Sequence, residues 1–335
     1  MYNLDVKDKK ILYCLTQNSR QSLKSIGKKV GISKELVSYR IKRLIKNKII
    51  LNFSTILNFE KLGYTIMQTN YKFVNINPTI KKEILDYLVN HNHTMYVSLV
   101  EGINDLQSDL YMGNPQEFEK LIDEIRERFY QYLSFQTSYF LFRGEFYDYS
   151  FLLKKTEKKM LINWVWGQKL YCIDDLDFKI LKELTNNSRI STKDIANKLS
   201  STVSTINYRI KKLEKELIIG LYTTNIDWSK LGYRWFHLRI SLRDYSMKNK
   251  IIQYMRKNPH LIRRFKFINL DMDLHFTLLL ENMQELRTII EDLSTNFPNA
   301  INDYHFYSTY KVFKYNFMVP EILKNKDPLC RGHTL

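Results

Sequence analysis

Residues 18–44, with the sequence NSRQSLKSIGKKVGISKELVSYRIKRL, decide the fold of this chain. Ser22 and Ser33 are of the type that caps helix N-termini, and Gly31 stands between them where a helix C-cap needs positive φ. The apolar residues after Ser33 recur at i, i+4 and i+7, as one buried helix face requires: Val37, Ile41 and Leu44. The pattern predicts two helices joined by a tight turn.

The same pattern returns at a constant offset of 169, as NSRISTKDIANKLSSTVSTINYRIKKL over residues 187–213. A short amphipathic helix is predicted before each copy, over residues 4–15 in the first, with Asp5 as its N-cap and Asp174 as the matching residue in the second. Further on, NMQELRTIIEDL (282–293) matches NPQEFEKLIDEI at an offset of 168. The chain is therefore predicted to be two copies of one two-domain unit.

Each copy of the two-helix pattern is followed by strands and helices. Ile49 to Leu57 is apolar and β-rich, and is predicted to be a strand or wing. Elements in the order βαββαβ follow, which is typical of a ferredoxin-like unit, and in the first copy they are predicted at residues 65–75, 78–91, 95–101, 106–112, 115–130 and 133–142, with 146–153 as an extension. We expect an α+β protein in which two winged helix-turn-helix domains alternate with two ferredoxin-like domains.

Domain boundaries are placed where pattern and charge change. WVWG at residues 164–167 lies between the units, and its two tryptophans predict that part of this connector packs on a domain. From Lys324 the chain is predicted to be frayed. The predicted order is a winged helix-turn-helix domain (1–63), a ferredoxin-like domain (64–153), the connector (154–172), a second winged helix-turn-helix domain (173–232), a second ferredoxin-like domain (233–320) and a tail (321–335).

The net charge of the chain is large, and it is unevenly distributed along the sequence. The net charge of +17 favours nucleic acid or an anionic membrane surface as the partner. Residues 1–63 contain 14 basic and 4 acidic residues, a net charge of +10, whereas residues 173–232 contain 10 and 8, a net charge of +2. Residues 64–142 have a net charge of −4. A basic module followed by an acidic one suggests two separate tasks.

Several classes of protein are disfavoured. No apolar run approaches the roughly 18 residues that span a bilayer, and the N-terminus has no apolar signal region, which predicts a cytoplasmic protein. The three cysteines form no CxxC pair, so no zinc site is predicted, and His91 with His93 has no carboxylate or cysteine partner. No nucleophile triad, phosphate loop or paired carboxylates are present. The sequence thus predicts no catalytic residue, metal or cofactor.

These motifs together resemble the Lrp/AsnC (feast/famine) transcriptional regulators. That family begins with LDxxDxxIL, continues with Ser-Arg and a helix-turn-helix that ends in a YRIKxL-like stretch, and has Leu-Gly before its second domain. Both copies contain these features, and in the first they are Leu4-Asp5, Asp8, Ile11-Leu12, Ser19-Arg20, Tyr39-Arg40-Ile41-Lys42 and Leu62-Gly63. The resemblance covers roughly residues 3–145 and 172–315. The two fused units and the WVWG connector resemble the tandem members of this family in archaea.

The resemblance implies double-stranded DNA as the partner and an internal pseudo-dimer built from the two sheets, with higher oligomers open. It also implies an amino-acid effector bound near a GxxD turn, here Gly102 and Asp105. The second turn reads Leu270-Asp271-Met272-Asp273, so only Asp273 is kept there and effector binding at this turn is in doubt. A fused pair would hold two recognition helices about one DNA turn, ~34 Å, apart.

Helix-turn-helix geometry then selects the candidate DNA contacts, because N-terminal side chains of the second helix reach base edges. Base-reading candidates are Lys34, Glu35, Ser38, Tyr39 and Lys42 in the first copy and Val203, Ser204, Asn207, Tyr208 and Lys211 in the second. Lys34 could read guanine and Asn207 could read adenine. Phosphate-contacting candidates are Ser33, Arg40, Arg43, Lys46, Thr202, Arg209 and Lys212.

Structural alternatives stand beside these assignments. Arg40 and Arg209 could pair with acids inside their own domains, and Tyr39 and Tyr208 could pack against the preceding helix. The lysines could simply be a solvated face. In the second copy Ser200 replaces Gly31, and the start of the recognition helix is less basic. The predicted operator is therefore an imperfect palindrome with one weaker half.

Two rival functions remain. The same architecture occurs in siroheme decarboxylases, some of them tandem chains, but those contain an NHxYxR motif followed by NLWF. The corresponding strands here, residues 96–100 and 265–267, match neither motif. In the other rival, the winged helices bind protein, which the weak charge of residues 173–232 permits.

Overall fold

A computed structural model describes residues 2–154, 158–268 and 271–320. The predicted tail, residues 321–335, and Leu270 of the second turn lie outside the described residues. In chain order the elements are α1 (Val6–Gln17), α2 (Leu23–Val30), α3 (Lys34–Lys46), β1 (Ile50–Leu57), β2 (Thr65–Phe73), α4 (Pro78–Asn90), β3 (Thr94–Glu101), β4 (Leu106–Met112), α5 (Pro115–Phe129), β5 (Leu133–Tyr147), β6 (Met160–Val165), α6 (Asp175–Asn186), α7 (Thr192–Lys198), α8 (Val203–Lys215), β7 (Ile219–Ile226), β8 (Arg234–Leu242), α9 (Lys248–Met255), β9 (Leu261–Ile268), β10 (Leu274–Leu280), α10 (Met283–Asn296) and β11 (Ile301–Tyr315).

The helix boundaries of the first module follow its capping residues. Asp5, Ser22 and Ser33 each accept a hydrogen bond from the backbone N–H three residues further on, at 2.8, 3.1 and 3.2 Å, and so satisfy an otherwise unpaired donor. Gly31 ends α2 with φ of +74°. The matching residue in the second module, Ser200, has φ of +50°, which costs a non-glycine residue about 1 kcal/mol.

The strands that follow the recognition helices pair with each other. β1 and β7 form a two-stranded antiparallel sheet with Ser54 opposite Thr223. β1 lies against α6 of the other module: Thr55 Oγ1 donates to the Leu184 carbonyl over 2.7 Å. β7 lies in turn against α1, where Thr224 Oγ1 donates to the Leu15 carbonyl over 3.3 Å. The predicted strand is confirmed, but its partner belongs to the other unit.

The two βαββαβ units join into one closed ring of eight strands. Each unit has the strand order of a ferredoxin-like sheet, β5-β2-β4-β3 in the first and β11-β8-β10-β9 in the second. β3 pairs with β11 and β5 pairs with β9, so the units meet edge to edge at both ends. The internal pseudo-dimer is therefore held by backbone hydrogen bonds as well as by packing between two sheet faces.

Helices cover the outside of the ring. α4 and α5 pack on the first unit through an apolar cluster that includes Ile84, Leu88 and Ile125. α9 and α10 pack on the second through Ile251, Leu286 and their neighbours. The alternation of strand side chains leaves the other sheet face pointing into the ring. No helix in the described part of the chain has the length and apolarity to cross a membrane.

The connector packs on the ring, as its tryptophans predict. β6 pairs with the end of β5, where Gly144 lies opposite Trp164. Trp164 is buried, whereas Trp166 is exposed. The predicted extension over residues 146–153 is only partly a strand, because β5 ends at Tyr147 and residues 150–153 form a 3₁₀ turn.

Candidate DNA interface

The first recognition helix, α3, has one buried and one exposed face. Val37, Ile41 and Leu44 are buried, as their spacing predicts. The side chain of Tyr39 is 61% exposed, so it does not pack against α2. Six of the predicted DNA contacts, five base-reading candidates and the phosphate candidate Lys46, are exposed or, for Ser38, half-buried: Lys34, Glu35, Ser38, Tyr39, Lys42 and Lys46.

The second recognition helix, α8, repeats this arrangement with fewer charges. Ile206, Ile210 and Leu213 are buried, and Tyr208 is 65% exposed. The predicted contacts that the structure leaves exposed are Thr202, Val203, Ser204, Asn207, Tyr208, Lys211 and Lys212. Both helices thus present a polar surface, but only α3 begins with a lysine.

The arginines of the YRIK stretch form ion pairs inside their own modules. Arg40 Nη1 lies 2.6 Å from Asp5 Oδ2 and 2.9 Å from Asp8 Oδ1. Although burial alone would raise the pKa of Asp5, the hydrogen bond from Arg40 holds that pKa below its usual range. Arg43 Nη2 lies 2.6 Å from the buried Asp8.

The second module repeats the pairing. Arg209 binds Asp174 and lies 3.3 Å from Asp177. The structure therefore favours the alternative in which Arg40 and Arg209 connect the recognition helix to α1 and α6. Their assignment as DNA contacts stays a prediction, as does that of Arg43, which pairs with Asp8 and stays half-exposed.

The capping hydroxyls are already used by the backbone. Ser33 Oγ accepts from the Leu36 N–H, and Thr202 Oγ1 accepts from the Thr205 N–H over 3.1 Å. Both residues are exposed at the start of a recognition helix, where a hydroxyl hydrogen can still be donated to a phosphate. Their predicted role is compatible with their capping role.

A reciprocal contact that was not predicted joins the two helix-turn-helix modules. Arg20 Nη1 donates to the carbonyls of Ser188 and Ile190, at 2.7 and 3.0 Å. Arg189 donates to the carbonyls of Ser19 and, over 3.2 Å, Gln21. The recurring Ser-Arg pair was visible in the sequence, but no local pattern indicated that its partner lies 168–170 residues away. We call this contact, together with the β1–β7 sheet, the seam.

The predicted effector residues have structural partners. Asp105 Oδ2 accepts from the Phe73 N–H over 2.9 Å, and Asp273 Oδ2 accepts from the Leu242 N–H over 2.8 Å. Gly102 has φ of +138°, and a Cβ there would lie 3.0 Å from Tyr307 Cβ. Asp105 and Asp273 thus hold their turns against neighbouring strands, and Gly102 lies close to β11, so each has a structural role whether or not it binds an effector.

The inside of the ring is partly polar and nearly filled. Burial raises the pKa of Asp109 to about 6, although Gln107 and Gln68 donate hydrogen bonds to it at 3.1 and 3.3 Å. Burial also lowers the pKa of His237 and of His275 well below the usual range, so both are neutral at pH 7. The cavity beside Asp109 has a volume of only about 30 Å³.

No group of three or more His, Cys, Asp and Glu side chains suited to a metal ion occurs among the described residues. The exposed face of α3, its counterpart on α8 and the seam between the modules define a protein with two helix-turn-helix modules, each with an exposed recognition helix. Comparisons with known proteins then define the family.

The winged helix-turn-helix DNA-binding family matches residues 4–50 and 173–216. An uncharacterised HTH-type transcriptional regulator of Pyrococcus horikoshii is 30% identical over 128 residues, which are 37% of this chain and 84% of that protein. The HTH-type transcriptional regulator FL11 of Pyrococcus furiosus is 27% identical over 122 residues, 36% of this chain and 80% of that protein. The chain belongs to the Lrp/AsnC family and is a DNA-binding transcriptional regulator with two such units in tandem.

Solved structures also resemble the chain over nearly its whole length. The siroheme decarboxylase NirDL has a TM-score of 0.61 and 11% identity, and the match covers 92% of each chain. At this identity the likeness shows the fold alone. It confirms the duplicated architecture.

Proposed function

We propose that one chain binds one bipartite operator, with α3 on a strong half-site and α8 on a weaker one. The observation that carries the proposal is the seam, which holds the two recognition helices in one rigid body. Because the seam is closed within one chain, the two modules are already joined before DNA binds.

The asymmetry of the two half-sites is supported by charge. The first module has a net charge of +10 and exposes Lys34, Lys42 and Lys46, whereas the second has +2 and begins its recognition helix with Val203. Phosphate neutralisation supplies most of the salt-dependent affinity for DNA. The first module is therefore expected to dominate affinity, and the second to add specificity and register.

Selection of duplexes from a randomised pool by the full chain tests this proposal. We expect an imperfect palindrome whose half-sites are centred about 10 base pairs apart, with footprint protection on one face of the duplex. Enrichment of a single half-site would contradict the proposal. The same experiment with each amino acid added tests effector response, because a change in the selected sequence or in affinity identifies the ligand.

The decarboxylase alternative is less well supported. A drug-sized ligand needs a pocket of roughly 300–1,000 Å³, whereas the cavity inside the ring has about 30 Å³. Some polar groups of the interior are engaged with one another: Arg239 Nη2 donates to Gln68 over 3.1 Å, and Tyr307 stacks on His237 with ring centroids 4.3 Å apart. Tetrapyrrole absorbance in the purified protein would revive this alternative.

A further inference from the structure

The connector fills a groove between the ring and the second helix-turn-helix module. We call it groove 1. Trp164 packs edge to face on Phe59, with ring centroids 4.8 Å apart. The same indole lies over two glycines, since a Cβ on Gly144 would be 3.2 Å from Trp164 Cε3 and a Cβ on Gly220 would be 4.0 Å from Trp164 Nε1. An extended segment with alternating apolar side chains is thus the natural occupant of this groove.

The internal repeat creates an equivalent groove on the opposite side, which we call groove 2. Its lining includes the counterparts of the groove 1 residues at offsets of 169 and 168: Leu51 for Gly220, Asp227 for Asn58, Trp228 for Phe59, Gly232 for Gly63 and Val312 for Gly144. Groove 2 has a volume of about 840 Å³. No segment among the described residues occupies it.

Groove 2 also contains a strand edge. β11 pairs with β8 over Ile301–Thr309 and with β3 over Ser308–Tyr315. Beyond Thr309, the β8 side of β11 therefore pairs with no strand in the part of the chain that the structure describes. The equivalent side of β5 is where β6 pairs. Unpaired strand edges are templates for strand addition.

We propose that groove 2 binds an extended segment of a partner protein, which adds as a strand to the edge of β11. The partner presents an aliphatic side chain to Leu51 and Val312, because these residues fill the space that the glycines of groove 1 leave for Trp164. It presents a lysine or arginine to Glu281, an exposed carboxylate at the rim of the groove, whereas Glu101 is already paired with Arg234 over 3.7 Å. Groove 1 supplies the precedent for this mode of binding within the same molecule.

A synthetic peptide tests the proposal directly. The probe is residues 158–170 with valine in place of Trp164, KKMLINVVWGQKL, labelled and titrated into the full chain. We expect saturable binding, weakened at least tenfold by Val312→Asp. The matched control is Tyr304→Asp, because Tyr304 lies on the same strand outside the groove and both side chains are 42% exposed. Unchanged DNA affinity in both variants shows that the fold is kept.

Four results would overturn the proposal. One is the absence of saturable binding, and another is equal affinity for the Val312→Asp and Tyr304→Asp variants. The third is binding that appears only when residues 324–335 are replaced by a glycine-serine sequence of equal length, which would make the tail the occupant. Self-association of the full chain that Val312→Asp abolishes would instead identify a second copy as the occupant.

Discussion

Ser19 and Ser188 meet side chain to side chain at the seam, with 2.5 Å between their hydroxyl oxygens. They are the same residue of the repeat, 169 positions apart, and both are fully buried. Only groups related by a local two-fold can meet their own counterparts in this way. The contact therefore places the axis of the internal pseudo-dimer between the two helix-turn-helix modules.

Loss of Arg20 should open the seam. Arg20→Ala removes the donor to two carbonyls and is expected to destabilise the chain by about 2 kcal/mol, since a buried acceptor left without its donor costs about 1–3 kcal/mol. Urea unfolding measures the change. Lys24→Ala, at an exposed position on α2, is the control and should leave the unfolding midpoint unchanged.

Removal of Arg40 should affect stability and leave the salt dependence of DNA binding intact. Arg40→Ala leaves the buried Asp8 with Arg43 as its remaining partner, and a loss of about 1–3 kcal/mol is expected. The slope of log affinity against log salt should match that of the unmodified chain. A slope that falls by about 0.9 would instead return Arg40 to the phosphate contacts.

The two recognition helices should contribute unequally to DNA affinity. We expect the double variant Lys42→Ala, Lys46→Ala to lower affinity and salt slope more than Lys211→Ala, Lys215→Ala, which changes the matching positions 169 residues on. Each lost phosphate contact lowers the slope by about 0.9. Equal losses from the two variants would remove the asymmetry.

Glu145 should make folding sensitive to acid. Burial alone would raise the pKa of Glu145, but hydrogen bonds from Arg264, Tyr147 and Arg256 lower it from 4.5 to about 2. A carboxyl group whose pKa is lowered by folding stabilises the fold at pH values above its unfolded pKa of 4.5. This stabilisation disappears as pH falls from 4.5 to about 2.

The lowered pKa of Glu145 corresponds to a stabilisation of about 3 kcal/mol at most. We expect the unfolding free energy of the chain to fall across this window, and that of Glu145→Gln to fall by less. Chemical denaturation at a series of pH values measures both, and parallel curves would contradict the prediction.

A glycine should be needed at position 102, because the backbone there lies close to Tyr307 of β11. Gly102→Ala is expected to cost about 2 kcal/mol, because the new methyl group must displace Tyr307 as well as hold positive φ. Gly167→Ala is the matched control: its φ is also positive, at +92°, but nothing lies within 4 Å of the added Cβ. Thermal unfolding should show the larger loss for Gly102→Ala. Equal losses would mean that backbone conformation alone requires the glycine.

Local patterns predicted the elements well because their causes are local. Asp5, Ser22 and Ser33 cap helices through hydrogen bonds to residues three positions on, and apolar spacing selects the buried face of α3. The exposed reading surface of α3 follows from the same spacing. The ion pairs of Arg40 and Arg209 were left open, because an arginine and an acid 32–35 residues apart give no periodic signal.

The sequence by itself determined that this chain is a duplicated unit with two helix-turn-helix modules, two βαββαβ units and an unequal distribution of charge. Periodicity, capping residues and repetition are properties of neighbouring residues, so they can be observed without coordinates. Only the tertiary structure decided that β1 pairs with β7, that the two sheets close into one ring, and that one of two equivalent grooves is filled by the connector. These outcomes depend on which strand edges meet, and strand pairing between residues 117 or more positions apart leaves no mark on local sequence.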